Sequence, residues 1–154
     1  MYFRFANNSD VDTIYNWSND PIVRASSFNS NKIEYVEHVE WYNSKLQDLS
    51  SRFYVFYNEN DVAIGLVRIE NKSDETIISI LIDKNQRGKS YASEMLIQAS
   101  TDFFKTNSNK IISAYIKIDN IASLNSFKKA GFSNEQKIMI QEIPSIVVTK
   151  SFTP

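Results

Sequence analysis

The sequence predicts a single α+β domain with a mixed, mostly antiparallel sheet of six to seven strands and about four helices. A length of 154 residues is enough for one substantial core and leaves no room for a second. Hydrophobic patterns typical of strands and of helices follow one another without a repeat or a low-complexity linker. The aliphatic run at residues 77–82 is followed by a glycine turn and a helical pattern, which indicates a strand–helix crossover. We therefore expect residues 1–154 to form one domain.

The N-terminal third combines a strand, two helices and a polar segment. Alternating aromatic and polar residues over positions 2–6 predict the first strand. A capping-box pattern and the apolar spacing that begins at Val11 predict a helix that ends before Pro21. The polar residues 20–31 predict a loop, which is either solvated or in contact with a substrate. Helical spacing over residues 34–47 predicts the second helix.

The middle of the chain predicts antiparallel strands that lead into the crossover. Residues 52–57 and 62–70 have strand composition and are joined by the turn-forming residues 58–61, so they predict a hairpin. With residues 77–82 they make three consecutive antiparallel strands. A strand at residues 111–118 follows the long helix and should run parallel to residues 77–82, because a crossover connects the two.

The C-terminal segment predicts one helix and two strands. Helical spacing over residues 119–131 ends at a glycine. Strands are expected at residues 132–143 and 146–152, separated by Pro144. The apolar residues 146–148 could form a sheet edge that pairs with a second subunit, so a homodimer is possible.

The composition excludes several classes of protein and of site. The formal net charge of −1 gives no bulk basic field for nucleic acid. The absence of cysteine excludes disulfides, thiolate nucleophiles and cysteine-based zinc sites, and a single histidine argues against a histidine metal site. No run approaches membrane-spanning length and no signal peptide is recognisable, so we expect a cytoplasmic protein without membrane contact.

A phosphate site is predicted just after residues 77–82. Lys84, Arg87, Gly88 and Lys89 stand between this strand and the start of a helix. Free backbone N–H groups and the positive end of the helix dipole then meet at one point, which favours an anion. An ordinary strand-to-helix connection is the alternative interpretation.

This region resembles the GNAT superfamily of acetyl-CoA-dependent N-acetyltransferases, and so does the order of elements along nearly the whole chain. Residues 87–92 are similar to the family's pyrophosphate loop, with Ser90 in place of the central glycine, and the three glycines Gly65, Gly88 and Gly131 fall where the family keeps one. The resemblance implies the GNAT fold and acetyl-CoA as co-substrate. It also implies a set of groups that hold the pantetheine arm and the pyrophosphate: Ile80, Leu81, Ile82, Gln86, Arg87, Gly88, Lys89, Ser90, Tyr91, Ala92, Asn120, Ser123 and Phe127.

Two positions depart from the family's catalytic pattern. Phe127 stands where many members have the tyrosine that protonates the leaving thiolate, and Ile77 stands where many have a glutamate. A water held by Ser79, His38 or Glu70 could accept the proton of the amine, and Tyr115, Tyr91 or a water could protonate the thiolate. A backbone N–H near Leu81 would stabilise the oxyanion.

The N-terminal third resembles a narrower branch that acetylates UDP-linked 4-amino-4,6-dideoxy sugars. The similarity is carried by residues 17–29 and 37–41. It implies that the acceptor is a small-molecule amine, in this case a UDP-amino sugar. Arg24 could pair with a phosphate, Phe28 or Trp41 could stack on uracil or a sugar face, Asn29 could bind hydroxyl groups, and Arg68 completes the predicted acceptor set. Two alternatives stay open: an acetyltransferase of protein N-termini, as in the ribosomal-protein enzymes, and a CoA-binding module without catalysis.

Overall fold

A computed structural model describes residues 1–154 as a seven-stranded mixed sheet with helices on both faces, which confirms the predicted α+β fold class. The spatial order of the strands is β1-β2-β3-β4-β5-β7-β6. Only the β4–β5 pair is parallel, as predicted from the crossover. The strands are β1 (Tyr2–Phe5), β2 (Arg52–Tyr57), β3 (Ala63–Lys72), β4 (Glu75–Ile82), β5 (Ile111–Lys117), β6 (Ser133–Ile140) and β7 (Ile143–Ser151).

Five α-helices accompany the sheet: α1 (Val11–Ser18), α2 (Pro21–Ser26), α3 (Tyr35–Gln47), α4 (Tyr91–Phe104) and α5 (Ile121–Lys129). A 3-10 turn, Asn8–Asp10, precedes α1. None of these helices has the length and apolar character that a membrane span requires.

The helix α2 lies within the polar segment that was predicted to be a loop. The Asp20 carboxylate caps it by accepting from the N–H of Ile22 at 3.0 Å, and Pro21 takes the first helical position, where its missing N–H is harmless. The same proline therefore ends one helix and starts the next. With 6 residues, the helix is too short to be predicted from hydrophobic spacing alone.

Two hydrophobic clusters fix the sheet between its helices. The larger one joins α4 and α5 to one face, with Phe56, Met95 and Phe103 among its fully buried members. The smaller one joins α1 and α3 to the other face of β2 and β3 and includes Ile14 and Tyr42. Packing on both faces holds the central strand β4 in a defined position.

The parallel strands β4 and β5 touch only at their beginnings. Their ladder contains two pairs, Thr76 with Ile112 and Ile77 with Ser113, after which the strands diverge. Residues 80–82 therefore have no strand neighbour on the β5 side. On the β3 side, a Cβ at Gly65 would lie 2.3 Å from the Leu81 carbonyl oxygen, so only glycine permits this approach.

The C-terminal hairpin differs from the prediction in two respects. Its turn is formed by Gln141 and Glu142, whose φ values of 48° and 65° are typical of a type I′ turn, while Pro144 lies inside β7 opposite Met139. The predicted break at Pro144 is therefore wrong. Strand β7 also lies between β5 and β6, so residues 146–148 form no sheet edge, and the route to a homodimer predicted from such an edge is wrong as well.

Candidate active site

A cavity of about 930 Å³ opens where β4 and β5 diverge. Helix α4, helix α5 and the preceding loop form one side of it. The other side, which we call the N-terminal wall, consists of the lining residues between Ser18 and Trp41. All the predicted site residues except Glu70 line this cavity: Arg24, Phe28, Asn29, His38, Trp41, Arg68, Ser79, Ile80, Leu81, Ile82, Gln86, Arg87, Gly88, Lys89, Ser90, Tyr91, Ala92, Tyr115, Asn120, Ser123 and Phe127.

Residues 86–92, which we call the phosphate loop, present unpaired backbone donors. Gly88 and Ser90 both have left-handed φ values, 74° and 62°, and Ser90 provides no side-chain cap for α4. The N–H groups of residues 87–92 have no hydrogen-bond acceptor within the chain. Such a run of free donors at a helix N-terminus suits a pyrophosphate, so the loop fits the phosphate end of acetyl-CoA.

An ion pair joins the phosphate loop to the N-terminal wall. Arg87 Nη2 lies 2.8 Å from Asp20 Oδ1, the same oxygen that caps α2. Burial opposes the ionisation of Asp20, but the hydrogen bonds from Arg87 and from the backbone of α2, together with the charge of Arg87, outweigh burial and lower the pKa of Asp20. The predicted cofactor residue Arg87 is thus held by a carboxylate from the opposite wall.

The N-terminal wall is held together largely by Arg24. Its guanidinium donates to the carbonyl oxygens of Ser18 at 2.7 Å, Asn29 at 2.9 Å and Asn31 at 3.2 Å, and to Ser27 Oγ at 3.2 Å. Four of the five N–H groups of an arginine are then occupied. Arg24 was predicted to bind a phosphate directly, but only one of its N–H groups is free, so a ligand would interact mainly with its charge.

Arg68 lies on β3 and lines the cavity. Its Nε donates to Ser79 Oγ at 3.1 Å, and its guanidinium carbon lies 5.1 Å from the centre of the Trp41 ring. Burial lowers the pKa of Arg68, and the nearby Glu70 opposes that shift. Both Ser79 and Trp41, two other predicted site residues, are thereby oriented by this side chain.

Glu70 is the one predicted site residue that lies outside the cavity. Its side chain is buried, with Oε1 3.0 Å from Lys45 Nζ and Oε2 3.9 Å from Arg68 Nη1. Burial raises its pKa, but the charges of Arg68 and Lys45 outweigh that effect, so the net pKa is lowered. A carboxylate that is buried behind Arg68 does not suit the predicted role of holding a catalytic water.

His38 lines the cavity but is almost fully buried. Its Nε2 is 2.8 Å from the Val11 carbonyl oxygen, so this nitrogen carries the hydrogen and donates it. The ring lies against Tyr15, Trp41 and Tyr42. Burial lowers the pKa of His38, which is therefore neutral near pH 7.

The predicted proton donor Tyr115 is already engaged. Its hydroxyl donates to the Glu75 carboxylate, and burial together with this contact raises the pKa of Tyr115 to about 12. Phe127 packs edge-on against Phe132 with ring centres 5.1 Å apart and carries no proton to donate. The catalytic roles of Ser79, His38, Glu70 and Tyr115 stay predictions.

The sequence of the chain matches a known domain family. The sequence profile of the acetyltransferase (GNAT) domain matches residues 1–133. The chain belongs to the GNAT acetyltransferase family. It is therefore an N-acetyltransferase that uses acetyl-CoA as co-substrate and acts on an amine.

Solved GNAT structures share the fold. Spermidine N-acetyltransferase from Vibrio cholerae, in complex with CoA and spermine, superimposes with a TM-score of 0.84 at 19% identity, and the alignment covers 97% of this chain and 94% of the other. A dodecameric structure of the enzyme from the same organism gives a TM-score of 0.77 at 20% identity, with 97% and 92% covered. No curated protein matches the chain significantly.

Sequence reasoning assigned no role to several residues of this GNAT cavity. Glu37 is the only carboxylate among the lining residues, and it has no hydrogen-bond or ion-pair partner in the chain. It belongs to the motif at residues 37–41, of which only His38 and Trp41 were predicted to be site residues. Lys117 donates from β5 to the Ala25 carbonyl oxygen at 2.8 Å and so closes the wall against the sheet. No group of three or more histidine, cysteine, aspartate or glutamate side chains could hold a metal ion.

Proposed function

We propose that this acetyltransferase transfers the acetyl group of acetyl-CoA to the 4-amino group of a nucleotide-linked 4-amino-4,6-dideoxy sugar. The predicted acceptor residues all line the same cavity as the phosphate loop. A cavity of about 930 Å³ is large enough for the acyl end of the cofactor together with a sizeable acceptor.

The charge of the acceptor side is the observation that carries this proposal. Arg24 and Arg68 both line the cavity, and Arg24 has no carboxylate partner. Burial, and then the positive charge of Arg68, lower the pKa of Arg24, so the two guanidinium groups repel one another. An anionic group between them would relieve that repulsion. A nucleotide diphosphate provides such a group, and a polyamine does not.

Aromatic and amide side chains on the same wall suit the rest of the acceptor. Phe28 and Trp41 can contact a base or a sugar face, and the Asn29 side-chain amide has no acceptor in the chain and can donate to a hydroxyl. Together with the arginines they offer stacking, hydrogen bonds and positive charge, which are the interactions that a nucleotide sugar requires.

The reaction is a direct attack of the neutral amine on the thioester carbonyl. A C–N bond forms, the C–S bond breaks, CoA leaves as its thiolate, and the nitrogen loses one proton to a water or a neighbouring group. With phenylalanine at position 127, the thiolate can leave unprotonated, which forgoes only about 2 kcal/mol at pH 7 for a thiol of ordinary pKa. The splayed ends of β4 and β5 give the amine access to the thioester.

An acceptor screen with purified protein tests the proposal. Release of the CoA thiol is followed with a UDP-linked 4-amino-4,6-dideoxy sugar, the same amino sugar without its nucleotide, spermidine, and a peptide with a free N-terminus. We expect the highest kcat/KM for the nucleotide sugar. Preferential turnover of spermidine or of the peptide would overturn the proposal, and acetyl-CoA binding without thiol release for any amine would favour a non-catalytic module.

A further inference from the structure

We infer that Arg68 is a specificity-determining residue that binds an oxyanion of the acceptor through its terminal N–H groups, and that Glu70 is the positioning residue that fixes its orientation. This inference rests on the proposed function for the identity of the acceptor. Its physical basis is the set of contacts that Arg68 makes and, above all, the donors that it leaves free.

The guanidinium plane is held from several directions. The Trp41 ring centre lies 5.1 Å from its central carbon and the Phe53 ring centre lies 5.9 Å away. Ser79 Oγ accepts from Nε at 3.1 Å, which fixes the rotation of the group about its long axis. A guanidinium held in this way presents its terminal edge in a single direction, so little conformational entropy is lost when an anion binds there.

Four of the N–H groups of Arg68 have no hydrogen-bond partner. An arginine carries five, and here only Nε donates to an acceptor in the chain. The distance from Nη1 to Glu70 Oε2 is 3.9 Å, which is an electrostatic contact and too long for a hydrogen bond. The two terminal nitrogens therefore keep the paired donors that bind a phosphate or carboxylate in bidentate fashion.

The charged groups around Arg68 are not balanced, which favours the binding of an anion. Glu70 is shared between Arg68 and Lys45, whose Nζ lies 3.0 Å from Oε1, so one carboxylate compensates two cations. The only carboxylate that lines the cavity, Glu37, makes no ion pair with Arg68. A net positive charge remains at the wall, and an incoming oxyanion would neutralise it.

The alternative is that Arg68 only packs. Its stem and plane cover Trp41 and Phe53, and an arginine can stabilise a protein through such contacts alone. Packing alone predicts that variants lose stability without losing affinity for an anion. Binding measurements therefore separate the two explanations.

Isothermal calorimetry with UDP as the probe tests the inference directly. We expect Arg68→Gln to weaken UDP binding by about 10- to 100-fold, as the loss of charged hydrogen bonds should, and Arg68→Lys to retain part of the affinity because the charge stays while the planar fork is lost. Arg52→Gln is the matched control, because Arg52 lies on the neighbouring strand and outside the cavity. Retained acetyl-CoA binding reports that each variant is folded.

Glu70→Gln tests the positioning role. We expect it to raise KM for the nucleotide sugar and to weaken UDP binding about 3- to 10-fold, with a smaller effect on kcat, because the lost alignment of the guanidinium outweighs the attraction that the additional positive charge gives to an anion. A loss of thermal stability with unchanged UDP affinity in Arg68→Gln and Glu70→Gln would overturn the inference.

The outcomes distinguish this inference from the proposed function. UDP binding that depends on Arg68, without acetylation of the nucleotide sugar, would refute the proposed function and support the anion site. Acetylation of the nucleotide sugar that Arg68→Gln leaves unchanged would refute the anion site alone. Wild-type protein that binds no UDP would overturn the inference.

Discussion

Ser90 carries a conformational strain that a glycine would not. Its φ of 62° lies in the left-handed region, and its side chain makes no capping hydrogen bond that would compensate. We expect Ser90→Gly to raise the free energy of unfolding by about 0.5 to 1 kcal/mol. Glycine relieves the strain of the left-handed conformation, and its larger loss of backbone entropy on folding offsets part of that gain. Urea unfolding measures the change. Ser90→Ala is the control, because it also lacks the hydroxyl but keeps the Cβ, and an equal gain in both variants would contradict the explanation.

Asp10 makes the stability of the N-terminal segment depend on pH. Both of its oxygens accept from Arg4 at 2.7 Å, and Oδ2 also accepts from the Asn7 N–H at 2.8 Å. Burial raises the pKa of Asp10, but these hydrogen bonds outweigh burial and lower it. Because the folded pKa is depressed, the stabilisation is present above the unfolded value near 4 and is lost as the pH falls through the folded pKa.

Replacement of this carboxylate should therefore matter at neutral pH and less in acid. We expect Asp10→Asn to lower the free energy of unfolding by about 1 to 3 kcal/mol at pH 7 and by clearly less at pH 3. Urea unfolding at both pH values gives the two differences. Asp74→Asn, at a turn residue without an ion pair, should change neither, and a penalty for Asp10→Asn that is equal at both pH values would refute the assignment.

The roles of individual side chains were the hardest features to predict. Arg24 is a suitable phosphate ligand by residue type, but the carbonyl groups that occupy it come from a chain turn that hydrophobic patterning does not specify. Glu70 is a suitable base by residue type, but it lies two residues beyond Arg68 on the same face of β3, where its buried carboxylate contacts Lys45 and Arg68 instead of the cavity. Residue type predicts the available chemistry, and tertiary contacts decide which groups remain free for a ligand.

At the scale of elements, α2 connects the phosphate loop to the N-terminal wall and to the sheet. Asp20 begins this helix and pairs with Arg87, and Lys117 holds its other end through the Ala25 carbonyl. A pyrophosphate that binds Arg87 shares the charge of the guanidinium with the Asp20 carboxylate, which lies 2.8 Å from Nη2. Acetyl-CoA binding is then linked to the position of the wall that would contact the acceptor.

Asp20→Asn should separate these effects, because asparagine still caps the helix but no longer carries the charge. We expect acetyl-CoA to bind about 2- to 10-fold more tightly and the KM for the acceptor to rise, since the wall loses its anchor to the phosphate loop. Calorimetry and steady-state kinetics measure the two quantities. Lys117→Met is the matched control, in which only the acceptor KM should change, and weaker acetyl-CoA binding in Asp20→Asn would contradict the coupling.

Elements with a strong hydrophobic period were predicted well, and elements defined by turn chemistry were not. The sequence predicted the central strand, the long helix after it and the parallel partner strand, because each buries a regular apolar face. Helix α2 and the Gln141–Glu142 turn depend on capping and on backbone conformation. Pro144 misled the prediction because its position within β7 depends on the register with β6.

On the scale of the whole molecule, the separation of β4 from β5 creates the cavity. The order of elements predicts that β4 and β5 are parallel, but it contains no information on how soon they separate. The point at which the strands separate depends on tertiary packing, in which α4 and α5 cover one face of the sheet and α1 and α3 cover the other. The cavity therefore exists only in the folded chain, and its ligands must stabilise the native state.

Acetyl-CoA should accordingly raise the melting temperature, and most of the gain should come from its pyrophosphate. At about 100 times its Kd a ligand adds about 2.7 kcal/mol, which corresponds to about 5 to 10 °C for a chain of this size. S-acetylpantetheine carries the same thioester and arm but lacks the pyrophosphate and the adenosine 3′-phosphate, so at the same concentration it should produce a much smaller shift in differential scanning fluorimetry. Equal shifts would mean that the free donors of residues 87–92 contribute nothing, and a phosphate role for this loop would then be untenable.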